Sequence, residues 1–82
     1  MAKKLVTLRG VIIPADWDEH GNVIATAIAT DDEGEYVISG QQTTEKYLAL
    51  LRKEVEVRGW VRGEGGRKII TIETYKKVSR YH

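Results

Sequence analysis

Cysteine and phenylalanine are both absent from this 82-residue chain, and proline and methionine occur once each. Without cysteine there is no disulfide framework, no zinc ribbon and no thiol nucleophile. Stability must come from packing alone, and without phenylalanine that core falls to Val, Ile and Leu. No apolar run approaches the length of a transmembrane helix. Met1-Ala2-Lys3-Lys4 leads straight into a strand-like stretch, with no signal-peptide core or cleavage site. A cytoplasmic protein without membrane contact is the expectation. Histidine is scarce too: His20 lies in a polar stretch and His82 at the C-terminus, and nothing in the sequence brings Ser39 or Ser79 towards His20 in a Ser-His-Asp arrangement. These scarcities point away from an enzyme and from any cofactor.

What is present is an ordinary globular composition, 41% hydrophobic and 30% charged. Residues 1–82 are read as one domain, since a chain this short buries only about 60% of its unfolded surface and cannot support two cores. The net charge is +1, but it is unevenly spread: residues 1–51 carry four Lys/Arg against eight Asp/Glu, and residues 52–82 carry nine against four. Such asymmetry marks either a basic binding face or two regions that neutralise each other in the fold.

Residues 54–63, Glu-Val-Glu-Val-Arg-Gly-Trp-Val-Arg-Gly, alternate with period two and read as a strand with one buried and one wet face. Val55, Val57, Gly59 and Val61 point inward; Glu54, Glu56, Arg58, Trp60 and Arg62 point out. The wet row is unusual because it holds a tryptophan between two arginines. Upstream, residues 5–14 form a first strand, with Gly10 expected to mark a bulge or sharp bend and Pro14 expected to end the pairing. Residues 15–22 read as a polar loop and 23–30 as a second strand, where either the Ile/Thr row or the Ala row could face inward. A turn at 31–34 leads to a third strand at 35–39. The period then changes. Residues 41–53 predict a short helix capped by Thr43 or Thr44, with Glu45 in its first turn, Arg52 and Lys53 in its last, and an apolar stripe of Tyr47, Leu48 and Leu51 widened by Leu50. Gly63-Glu64-Gly65-Gly66 is a flexible turn, residues 67–75 are a fifth strand, and 76–82 form a basic tail expected to fray from about residue 78.

Three strands, a short helix and two further strands, with Gly10 in the first strand and Val55-x-Val57-x-Gly59-x-Val61 in the fourth, resemble the oligonucleotide/oligosaccharide-binding (OB) fold. The resemblance spans roughly residues 4–77 and implies an all-β, five-stranded Greek-key barrel with the helix between strands three and four. A short SH3-like barrel is the alternative, disfavoured because it normally lacks a docked mid-chain helix.

Asp16-Trp17-Asp18-Glu19-His20-Gly21 superficially follows a calcium loop. His20 stands where an oxygen ligand is required and Ala27 where a bidentate Glu is required, so no metal is expected. The resemblance instead implies a binding module for single-stranded DNA or RNA with little sequence specificity. Trp17, Tyr36 and Trp60 would offer stacking faces, and Arg58, Arg62, Arg67 and Lys68 would meet phosphates. In the resembled barrel the loop carrying Trp17 would lie near Arg62, Arg67 and Lys68. Against this, Asp16, Asp18 and Glu19 arrive in the same loop and could neutralise those cations. Trp60 could also be covered by the C-terminal tail, against Tyr75, Val78 or Tyr81. A protein-interaction module or accessory subunit using the same basic and aromatic face is the alternative function, favoured by the near-zero net charge.

Overall fold

A computed structural model of the chain describes residues 3–31, 34–40 and 44–78. Its elements are β1 (Lys4–Trp17), β2 (Val23–Thr30), β3 (Gly34–Ile38), α1 (Thr44–Leu48), β4 (Glu54–Glu64) and β5 (Arg67–Lys77). The strands close into a barrel in the order β1-β2-β3-β5-β4. All neighbours are antiparallel except β3 and β5, which are parallel over two residue pairs. This is the all-β, five-stranded barrel with a short helix between strands three and four that the sequence predicts.

Closure depends on β1, which pairs with β4 over its first half and with β2 over its second. At Gly10 it pairs on both sides at once, with Thr30 and with Val55. A Cβ there would lie 2.2 Å from the Ala29 carbonyl oxygen, so only glycine admits the approach. The register passes through Gly10 without a shift; the irregularity comes later, between Pro14 and Trp17. Pro14 does not end the strand as expected. It pairs with Thr26 and stands immediately before the shift, where a residue without an N–H is tolerated. The predicted loop from residue 15 therefore shrinks, and β1 runs on to Trp17.

In β2 the open choice resolves in favour of the Ile/Thr row at Thr26 and Ile28, whereas Ile24, earlier in the same row, is 49% exposed. Ile28 is fully buried, paired with Ile12 and Tyr36, and belongs to the central cluster. Ala27, on the opposite face, is fully covered as well. The inner row of β4 is as predicted: Val55 and Val57 join the same cluster and Val61 packs against it.

β5 departs from simple alternation. Arg58 pairs with Thr74 but Gly59 pairs with Ile72, so Glu73 is an extra residue in β5, a β-bulge. The bulge reverses the facing of the residues after it. Ile70 and Ile72 point inward on one side of the bulge, Tyr75 points inward on the other, and Thr74 is turned out. β5 also outlasts its predicted end: Lys76 and Lys77 pair with Glu56 and Val55, and the Val78 amide donates to the Glu54 carbonyl at 3.0 Å. The tail from residue 79 onward lies outside the described residues.

The helix is shorter than the stripe suggests, five residues from Thr44. The Thr43 alternative for its cap lies outside the described residues. After Leu48 the chain tightens into three-residue turns, with Leu50, Leu51 and Lys53 amides donating to Tyr47, Leu48 and Leu50. Arg52 then takes a left-handed φ of 68°. This rewinding lets the Arg52 amide donate to the Ile12 carbonyl at 2.8 Å, and the Ile12 amide to Lys53 at 3.2 Å. Arg52 and Lys53 thus lie beyond the helix rather than in its last turn. The stripe still does its packing: Tyr47 and Leu50 are buried, and the Tyr47 ring meets Tyr75 edge-on at 5.5 Å.

Candidate nucleic-acid interface

The outer face of β1, β4 and β5 is built in rows by strand register. Leu5, Trp60 and Thr71 form one row; Thr7, Arg58 and Thr74 the next; Arg9, Glu56 and Lys76 the third. Trp60 is 38% exposed, and its indole Nε1 donates to Glu73 Oε2 at 3.0 Å. The bulge residue thus fixes the edge of the ring. The expected cover does not reach it among the described residues. Tyr75 points to the barrel interior and Val78 is held at the start of β4, while Tyr81 lies outside the described residues.

The cations of this face are largely matched. Arg9 Nε lies 3.4 Å from Glu54, Lys76 Nζ lies 3.8 Å from Glu56, and Arg62 Nε lies 3.7 Å from Glu64. Arg62 also donates to Thr71 Oγ1 at 3.4 Å. Arg58 is exposed and forms no ion pair among the described residues. It lines a depression of about 370 Å³ together with Thr7, Glu56, Val57, Thr74, Tyr75 and Lys76.

The other expected residues are placed elsewhere. Tyr36 is a correction: it is only 6% exposed, part of the central cluster, and so offers no open ring for stacking. Its position reflects the β3 register, which sets it opposite Ile28 on the inner face. Lys68 Nζ lies 5.0 Å from the centre of that ring, which joins Lys68 to Tyr36 rather than to Arg62. Arg67 is exposed and pairs with Glu64 across a two-residue turn, where Gly65 and Gly66 take positive φ. Trp17 is 53% exposed at the far end of β1, opposite Val23. β4 pairs only with the first half of β1, so strand pairing does not bring Trp17 beside Arg62, whose partners are Glu64 and Thr71.

The acidic loop likewise serves itself. Asp18 accepts from the amides of Asn22 at 2.9 Å and His20 at 2.8 Å, and from the Asn22 side chain at 3.2 Å. The Asn22 amide is the largest cause holding its carboxyl below the usual carboxylate range; desolvation, next in size, opposes it, and the Asn22 side chain and the His20 and Gly21 amides add to the lowering. Asp16 accepts from the Trp17 amide at 2.9 Å. The neutralising partner of Arg62 is therefore Glu64, its neighbour on β4, and not the loop.

Thr7 and Thr74 are the functional candidates that the sequence did not reveal. Thr74 faces outward only because of the bulge, and the one signal for it was Gly59, an interior strand glycine opposite the slip. Among the described residues no cluster of three or more His, Cys, Asp or Glu could hold a metal ion, and no helix is long and apolar enough to cross a membrane. No family model matches the sequence, and no curated protein does either.

Proposed function

We propose that this chain is a non-catalytic, OB-like binding module that takes single-stranded nucleic acid on the outer face of β1, β4 and β5, with little sequence specificity. The observation that carries this is Trp60, a part-exposed indole fixed by Glu73 on an open strand face, with Arg58 and Arg62 on either side of it along β4. An oriented aromatic ring stacks on any base, and flanking guanidinium groups meet phosphates. The glutamate pairings are no bar. Exposed ion pairs are worth about 0–1 kcal/mol and exchange readily for a phosphate.

Those same pairings support a second reading, a protein partner, because Arg9, Arg62 and Lys76 each already have a carboxylate beside them. Salt separates the two. Single-stranded nucleic acid should be held with a log–log salt slope of about −0.7 per phosphate neutralised. With most cations matched, the slope should be shallow, corresponding to few phosphates. Binding of a fluorescent oligo-dT, followed by anisotropy from low to physiological salt, tests this directly. Trp60→Ala should cost about 1–3 kcal/mol of affinity with the melting transition retained. Absence of oligo-dT binding at low salt and high micromolar protein refutes the nucleic-acid function.

A further inference from the structure

Arg58 stands between two threonines in register, Thr7 on β1 and Thr74 on β5. All three line the depression of about 370 Å³, whose other charged lining is Glu56 and Lys76. Glu56 and Lys76 face each other at 3.8 Å; the Lys76 side chain is largely solvated and that of Glu56 is 37% exposed, so the lysine end of the pair is free to swing away. Two cations thus stand against one carboxylate, leaving one positive charge in excess. A guanidinium supplies a planar fork of donors matched to an oxyanion, and a hydroxyl on each side can donate to the oxygens the fork leaves free.

We propose that the Thr7-Arg58-Thr74 row is a subsite for a single phosphate group. One uncompensated charge in a shallow hollow suits one phosphate and not an extended polyanion track. Trp60 lies two residues along the same strand face, a displacement of about 6–7 Å, comparable to the separation of phosphate and base within one nucleotide. The subsite rests on the single-strand function for its biological ligand, and it sets the smallest ligand as one nucleotide: phosphate at Arg58, base on Trp60. Its phosphate could come from a strand backbone or from a free mononucleotide, and the chemistry recognised is the same.

The test is an amide-resolved NMR titration of the full chain with three probes: inorganic phosphate, thymidine and thymidine 5′-monophosphate. Phosphate should move the amides of Thr7, Arg58 and Thr74. Thymidine should move the Trp60 indole, and the monophosphate should move both sets together at lower concentration than either fragment. Arg58→Gln should weaken phosphate binding about tenfold or more, as expected for losing charged hydrogen bonds, while the thymidine response of Trp60 persists. That persistence also shows that the variant is folded. Thr74→Val should weaken phosphate without touching thymidine. Shifts spread over lysines elsewhere, or a phosphate response indifferent to Arg58→Gln, overturn the subsite. If oligo-dT binds while phosphate leaves the three amides unmoved, the subsite falls and the nucleic-acid function stands. If phosphate binds at Arg58 and oligo-dT does not bind, the subsite stands and the nucleic-acid function falls.

Discussion

Gly59→Ala isolates the contact on which the outer face of β4 and β5 depends. Gly59 sits on the inner row of β4, opposite Ile72, where the β4–β5 register slips and releases Glu73. A methyl group there would come 2.2 Å from the Thr71 carbonyl oxygen and 2.9 Å from the Ile72 Cα, whereas ordinary contact begins at 3.4 Å. The overlap exceeds an ångström, and the obstructing atoms are backbone, which cannot rotate away. Its φ lies outside the left-handed region, so alanine brings no torsional strain. It should even recover about 0.4–1 kcal/mol by restricting the unfolded chain. Against that, overpacking a well-filled site costs about 1–3 kcal/mol, with rigid surroundings at the upper end. The net loss should be about 2 kcal/mol, which in a domain of this size lowers Tm by about 8–16 °C. Gly63, in the same strand, is the internal control: its nearest neighbour to a new Cβ is the Arg67 carbonyl at 4.0 Å. Gly63→Ala should leave Tm unchanged or raise it slightly. Thermal melting by circular dichroism, with urea unfolding by tryptophan fluorescence, measures both. A Gly59→Ala protein that melts with the wild type, or a Gly63→Ala protein that falls as far, refutes the close approach as the reason for glycine.

The same packing sets two further expectations. Val57→Ala should cost about 1–3 kcal/mol because it empties volume in the barrel, whereas Glu56→Ala, whose partner Lys76 is exposed, should change stability by about 0.5 kcal/mol or less in urea. Equal effects would mean that β4 is turned the wrong way. Tyr47 is the pH probe: burial first, and Tyr75 second, push its phenol above the ordinary tyrosine value. The folded state thus prefers the neutral phenol. The stability this contributes is fully present below the unfolded value of about 10 and is lost as pH rises through the raised folded value. Urea midpoints measured on the alkaline side should fall more steeply in the wild type than in Tyr47→Phe; identical slopes would show that Tyr47 ionises freely in the fold.

Parity within a single strand was legible from residue types alone. In β4 the row Val55, Val57, Gly59, Val61 and the row Arg58, Trp60, Arg62 fall on the faces that period two assigns them, because the β4 backbone continues without an extra residue. The helix was half legible. Tyr47, Leu50 and Leu51 were visible as apolar residues needing a partner, but a stripe says which residues must bury and not how the backbone gets them there. Here the hydrogen bonds between Ile12 and residues 52–53 compete with continued helix, and the shorter helix results. Trp17 was misplaced for a related reason, since its neighbours depend on which half of β1 meets which strand.

Facing in β5 was not legible because it depends on a register between two strands. Thr74 and Tyr75 exchange faces when Glu73 is extruded, and nothing within residues 67–77 announces the extrusion. The announcement is in the partner strand. Gly59 packs so closely on Thr71 and Ile72 that a side chain is excluded, and beside that point the ladder gains its extra residue. Its consequences run to both sides of the barrel wall. Inside, Tyr75 reaches Tyr47 and ties β5 to the helix. Outside, Glu73 reaches the Trp60 indole and Thr74 comes to stand beside Arg58. The glycine that sequence pattern assigned to a plain inner row is therefore what shapes the outer one, and an interior strand glycine is best read as information about the strand next to it.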